Sequence, residues 1–187
     1  MFSDIGKIIL GDCCVIEIGD QVVYPIFKNG YSSIVNSTQG RAIYNNDIKN
    51  FSNINIIVRE PQERFIKGVK EYCWINHLDI TDTYKKISQG LIMDKHFAPQ
   101  FLWLLHLNKF YKGKITLREM KYLSNIIDVQ ANQSKWQLPE KQKLFKQHHI
   151  ESLPEFTEVD KKLFQHLDSP IQINELINRY KHVLSKT

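Results

Sequence analysis

Cysteine is scarce in this chain. Three of the 187 residues are cysteine, with Cys13 and Cys14 adjacent and Cys73 alone. An odd count without C-x-x-C spacing excludes a disulfide framework and a cysteine zinc site. Reduced thiols in a cytoplasmic protein are the expectation. No apolar run approaches ~18 residues, which excludes a transmembrane helix by hydropathy. The first twenty residues alternate apolar and acidic types without a basic stretch, so no signal peptide is expected. The string Gly-Lys-Ser/Thr that closes a Walker A loop is missing. That argues against a P-loop kinase, which would need magnesium and a nucleoside triphosphate. Repeats and low-complexity tracts are also lacking.

Apolar residues are plentiful. They form 42% of the chain and aromatics 11%, enough to exclude a disordered chain. The length suits a single domain spanning residues 1–187, able to bury about 70% of its unfolded surface. Lys and Arg number 25 against 20 Asp and Glu, a net charge of +5, which points weakly to anionic partners. The excess is spread along the chain, and helix-turn-helix, zinc and RNP patterns are absent, so nucleic acid is not the expected partner.

The first half reads as strand, loop, helix, strand, helix. Val22-Val23-Tyr24-Pro25-Ile26-Phe27 is a short apolar run, a buried strand with Pro25 toward its end. Lys28-Asn29-Gly30 is turn chemistry, and residues 31–43 read as a poor helix. Ile54-Asn55-Ile56-Ile57-Val58 is a β-branched strand. Pro61 suits the first turn of a helix, and Phe65, Ile66, Val69, Tyr72 and Cys73 share one face of it.

The second half is more helical. Residues 82–92 read as a helix ending near Gly90. Residues 101–107 are almost continuously apolar, and periodicity does not separate strand from helix there. Ile115-Thr116-Leu117 reads as a short strand, followed by a helical face of Met120, Leu123 and Ile127. Residues 132–154 form a long polar excursion. Thr157-Glu158-Val159-Asp160 has a helix-capping pattern, and Ile173, Leu176, Ile177, Tyr180 and Leu184 form a last amphipathic helix. This order predicts an α/β fold with a central, mainly parallel sheet flanked by helices. In such sheets ligands bind beyond the carboxyl ends of the strands, where residues 28–33 and 59–67 would sit.

Two strings carry chemistry. In Lys28-Asn29-Gly30-Tyr31-Ser32-Ser33 a strand ends, a glycine frees the backbone and a helix begins. The amides opening a helix, a lysine and two hydroxyls all suit a phosphate or sulfate. In Arg59-Glu60-Pro61-Gln62-Glu63-Arg64-Phe65-Ile66-Lys67 an arginine stands at a strand tip, where its fork can hold a phosphate through two bonds. Taken singly, each string also reads as a polar surface turn, with Glu63 and Arg64 as a surface ion pair.

Taken together, they resemble the sulfotransferases that use 3′-phosphoadenosine 5′-phosphosulfate (PAPS). The first string, from Pro25 to Ser33, is similar to that family's P-x-K-x-G/A-x-S/T-S/T loop. The second is similar to its R-D/N-P-x-x-R-x-x-S element. A third, Asp94-Lys95-His96-Phe97-Ala98-Pro99-Gln100, looks like the D-x-H-W/F-x-P-Q element of carbohydrate-type members. The three cover residues 22–100 in the family's order and spacing. The resemblance implies a P-loop-like three-layer fold and transfer of a sulfonate to a saccharide or glycoconjugate, leaving 3′,5′-adenosine bisphosphate (PAP), without a required metal. Lys28 would then stabilise the leaving phosphate. The backbone and side chains of Asn29, Gly30, Tyr31, Ser32 and Ser33 would cradle the 5′-phosphate. Arg59 and Lys67 would hold the 3′-phosphate. His96 is the candidate base, with ordering of the Pro99-Gln100 turn as its alternative role.

Three departures stand out. Glu60 replaces Asp or Asn, Lys67 replaces a serine, and Tyr31 stands where small residues are usual. The chain is also short for the family, so some acceptor-binding structure is expected to be missing. A non-catalytic nucleotide- or glycan-binding module on the same fold is the rival expectation. Other residues promise less. Trp74 and Trp103 read as core, His77-Asp79 as a loop hydrogen bond, His148-His149 as an exposed pair, and Trp136 as a candidate sugar contact.

Overall fold

A computed structural model describes residues 12–127 and 157–184. It holds one six-stranded sheet in the order β3-β1-β2-β4-β5-β6. The strands are β1 (Cys14–Ile18), β2 (Gln21–Tyr24), β3 (Gly40–Tyr44), β4 (Asn53–Val58), β5 (Lys114–Glu119) and β6 (Pro170–Gln172). The helices are α1 (Tyr31–Val35), α2 (Pro61–Ile75), α3 (Ile80–Ser88), α4 (Gln100–Leu107), α5 (Glu158–Leu163) and α6 (Ile173–Leu184).

The expectation of a mainly parallel sheet is corrected. Only β2·β4 and β4·β5 are parallel; β1·β2, β1·β3 and β5·β6 are antiparallel. The cause is local. Gly19-Asp20 joins β1 to β2 as a two-residue hairpin turn, with Gly19 at φ +59°, the conformation such turns require. The helix expected over residues 31–43 is likewise only α1, and the chain turns at residues 36–39 to run back as β3. Gly40 allows that return, since a Cβ there would lie 2.7 Å from Ile16 Cγ2.

Residues 101–107 resolve as helix. α4 is apolar on nearly every side and almost wholly buried, as expected of a central core helix. Its first two amides are held from outside: Gln100 N and Phe101 N donate to Asp160 Oδ2 and Oδ1, at 2.7 and 2.9 Å. Asp160 therefore caps α4, and Thr157 makes no side-chain capping bond to α5. The capping pattern at 157–160 thus serves a different helix from the one the sequence suggests. Asp79 caps α3 by accepting from Asp82 N at 2.9 Å, which accounts for Asp79 without His77. The helical face expected from Met120 is a 3-10 helix, Met120–Asn125.

The sheet has two differently dressed faces. Val22, Tyr24, Ile54, Ile56, Val58, Ile115 and Leu117 pack against α4, α5 and α6. On the opposite face, Ile16, Ile18, Val23 and Ile57 pack against Ile34 of α1 and Leu123. After β2 the chain crosses by α1 to β3 on one side. After β4 it crosses by α2, α3 and α4 to β5 on the other. The carboxyl ends of β2 and β4 therefore flank a point where the connections part, the usual place for a ligand in an open α/β sheet.

Asp160 is buried and carries a pH signal. Burial pushes its carboxyl up to about 6, against the pull of Arg64 and of the amides of Gln100 and Phe101. Between about pH 4 and 6 the folded chain keeps a proton that the unfolded chain releases. This group's contribution to stability therefore falls as pH rises through that window. Urea unfolding from pH 4 to 6.5 is expected to show this downward component in the wild type and its loss in Asp160→Asn. Parallel profiles would contradict it.

Candidate functional site

The three strings read from the sequence meet at the carboxyl ends of β2 and β4. Lys28 sits in the left-handed region at φ +69° and Gly30 at φ +78°. A Cβ on Gly30 would fall 2.3 Å from Leu123 Cδ1, so this turn needs glycine for both its angle and its contact. Tyr31, Ser32 and Ser33 follow as the first residues of α1. Amides of a first helical turn lack intrahelical acceptors.

Lys28 pairs with Glu71 of α2, and both side chains are mostly buried. Burial, then the charges of Arg59, Lys67 and Arg64, pulls the Lys28 ammonium down to about 8. The Glu71 carboxylate works the other way. Burial is the larger cause; the three cations add to it, with Glu71 and Glu63 paired to Lys28 and Lys67.

Arg59 lies just beyond β4. Its Nε is buried without a hydrogen-bond partner among the described residues, and its nearest carboxylate contact is Glu63 at 4.0 Å. Glu60 caps α2, accepting from Gln62 N at 3.0 Å and Glu63 N at 2.6 Å. Glu60 thus satisfies two of the amides that open α2. Lys67 is half exposed and bonds Glu63 at 2.6 Å.

Arg64 is the largest departure from expectation. It makes no surface pair with Glu63 and is 2% exposed. Its Nε donates to Phe27 O at 3.2 Å and its Nη1 to Ala98 O at 2.5 Å. One buried guanidinium thereby ties the Lys28 loop to the turn before α4. Burial lowers it to about 10, with Asp160 opposing.

His96 is brought to the same region through Phe27. The two rings meet edge to face with centroids 5.6 Å apart. Phe27 also stacks on Trp103 at 5.5 Å and packs on Tyr31 at 4.3 Å, and Lys95 Nζ lies 4.8 Å from its centroid. Tyr31 therefore rests on Phe27, and Trp103 is core, as the sequence suggests. His96 Nδ1 is 2.5 Å from Asp94 Oδ1, which also accepts from His96 N at 2.9 Å. Burial raises the Asp94 carboxyl, but these two bonds and the charges of His96 and Lys95 outweigh it and hold it below its usual value. Asp94 fixes the ring through Nδ1, leaving Nε2 for any proton accepted from a substrate. The same pair also orders the turn, so the geometry accommodates both roles.

Gly68 sets the approach of this turn. A Cβ there would lie 2.1 Å from His96 O and 2.6 Å from its carbonyl carbon. The neighbour is backbone and has little room to give. Gly68→Ala is expected to cost about 1–3 kcal/mol, read as a shifted midpoint in denaturant unfolding; an unchanged midpoint would contradict the close packing.

Set against known protein families, curated proteins and solved structures, the chain matches none. The site's chemistry thus rests on its own geometry. Glu71, Asp160 and the buried position of Arg64 are parts that sequence reading missed. Glu71 carries no motif, and Asp160 stood in the capping pattern at 157–160, which pointed to its own helix rather than to α4. Trp136, His148-His149 and the polar excursion lie outside the described residues. No helix among the described residues is long and apolar enough to cross a membrane.

Proposed function

We propose that this chain is a sulfotransferase. It would move a sulfonate from PAPS to a hydroxyl or amine of a saccharide or glycoconjugate, on a P-loop-like three-layer variant of the α/β fold, in the cytoplasm. One observation supports the reading most. The Lys28 loop and the Arg59 loop leave neighbouring parallel strands at their shared carboxyl ends, where the chain connections part. A bisphosphorylated nucleotide needs two anion sites at a fixed separation. Here Lys28 on one loop and Arg59 on the other, its buried Nε without a hydrogen-bond partner among the described residues and 4.0 Å from Glu63, fit that demand.

PAPS would supply an activated sulfonate on a good leaving phosphate. Lys28 would release Glu71 and place its charge at the bridging oxygen, offsetting charge that builds as the sulfur–oxygen bond breaks. The amides from Gly30 to Ser33 would hold the 5′-phosphate, and Arg59, with Lys67 beside it, the 3′-phosphate. The acceptor oxygen forms the new bond to sulfur and its proton passes to His96 Nε2, a histidine being suited to that task near neutrality. Positioning and charge account for the rate, and the reading calls for no metal.

A second reading has its own support. Lys28 is engaged by Glu71, and Lys67, where a serine is expected, is engaged by Glu63. These contacts suit a non-catalytic nucleotide- or glycan-binding module. Turnover separates the two. Labelled PAPS is offered with a panel of saccharides to wild type and to His96→Ala. Transfer by the wild type that falls in the variant supports the enzyme; nucleotide binding without transfer to any acceptor supports the module.

A further inference from the structure

We propose that Gln100 is a positioning residue that sets the separation of the two anion-binding loops, so that both ends of a bisphosphorylated nucleotide are bound in one register. The proposal rests on the donor-site reading above. Gln100 is fully buried at the start of a helix whose other residues, His106 apart, are apolar. A buried carboxamide is costly unless every bond is met, and an apolar side chain would serve packing better. Three side-chain bonds go to the two loops, and the carboxamide also acts on the Asp160 carboxyl behind it. Oε1 accepts from Asn29 Nδ2 at 2.5 Å and from Arg59 N at 2.9 Å; Nε2 donates to Arg59 O at 2.9 Å.

The exchange with Arg59 has a familiar form. One side chain gives and takes a hydrogen bond with one residue, as a neighbouring strand would. Gln100 thus extends the β4 ladder by a residue, just where Arg59 must be aimed. Asn29 completes the link. It is fully buried, and its Nδ2 also donates to Ile57 O at 2.8 Å. The residue after Lys28 is therefore bolted to β4 and, through Gln100, to Arg59. Asp160 holds Gln100 from behind by accepting its backbone N–H at 2.7 Å. The chain of contacts runs Asp160, Gln100, then Asn29 and Arg59 together.

A spacer of this kind affects a ligand that spans both loops more than one that touches a single loop. That separates positioning from a general structural role, which would weaken all ligands alike. Calorimetry would compare 3′,5′-adenosine bisphosphate with adenosine 5′-monophosphate on wild type and Gln100→Leu, with thermal melts confirming the fold. The wild type is expected to prefer the bisphosphate. In the variant that preference should shrink about tenfold, while monophosphate affinity stays within about twofold of wild type. Should Gln100→Leu fail to fold, Gln100→Asn, which keeps a carboxamide one methylene too short to reach both loops, is read in the same way. A folded variant that keeps the wild-type preference overturns the proposal and leaves the donor site standing. A wild type that shows no preference for the bisphosphate overturns the donor reading itself, and this proposal with it.

Discussion

Lys28→Ala is expected to lower sulfonate turnover about 10²–10³-fold, the usual loss when one group that stabilises transition-state charge is removed. Lys28 is set at φ +69° beside Gly30, so its Nζ is carried on a rigid turn. Bisphosphate binding should weaken far less than turnover, because Arg59 and the loop amides remain. That split distinguishes a catalytic lysine from one that merely attracts anions. A pH profile sharpens the test. The ammonium is pulled down to about 8 by burial and by Arg59, Lys67 and Arg64. Turnover needs the charged form, so kcat/KM should fall as pH rises through about 8, approaching about tenfold per unit above it, while donor affinity changes little. Lys28→Ala should lose this limb. Equal losses in binding and turnover, or an unchanged profile in the variant, would contradict the assignment.

Arg64→Met is expected to destabilise the fold by about 3–5 kcal/mol, the cost typical of breaking a buried ionic arrangement from one side. Methionine fills similar space, so the loss is chiefly polar. The carbonyls of Phe27 and Ala98 lose their donor, and the buried Asp160 carboxylate loses an opposing charge. The double variant Arg64→Met, Asp160→Asn should cost less than the sum of the two single changes, since neither orphan charge remains. Denaturant unfolding measures both. A single change under about 1 kcal/mol, in the range of exposed pairs, would show that Arg64 belongs on the surface where its sequence context first put it.

The contrast at Arg64 shows what could be read from residue order. The structure links the strings 28–33, 59–67 and 94–100 through Asn29, Arg59 and Gln100, and each string follows or flanks an element with clear periodicity. β4 and α2 were legible for that reason: a β-branched run, then a proline, then an apolar face at helical intervals. β1 and β3 were not, since their pairing depends on the Gly19-Asp20 turn and the approach at Gly40. That hidden hairpin and the return at Gly40 make one edge of the sheet antiparallel, and β6 makes the other so. Arg64 read as a surface charge because helical spacing alone does not say which neighbour covers a residue. Only the fold brings the carbonyls of Phe27 and Ala98, 37 and 34 residues away, onto one guanidinium. The capping role of Asp160 toward α4 is likewise a contact across 60 residues. Local patterns identified the loops; distant partners hold them.

The central claim is that Lys28 and Arg59 form one donor site for a nucleotide phosphorylated at both ends. Its most direct test is calorimetric titration with 3′,5′-adenosine bisphosphate, beside ATP with magnesium, on wild type and Arg59→Ala. The account predicts micromolar binding of the bisphosphate, not matched by ATP and lost in Arg59→Ala while the variant stays folded. A folded wild-type protein that does not bind the bisphosphate would contradict it.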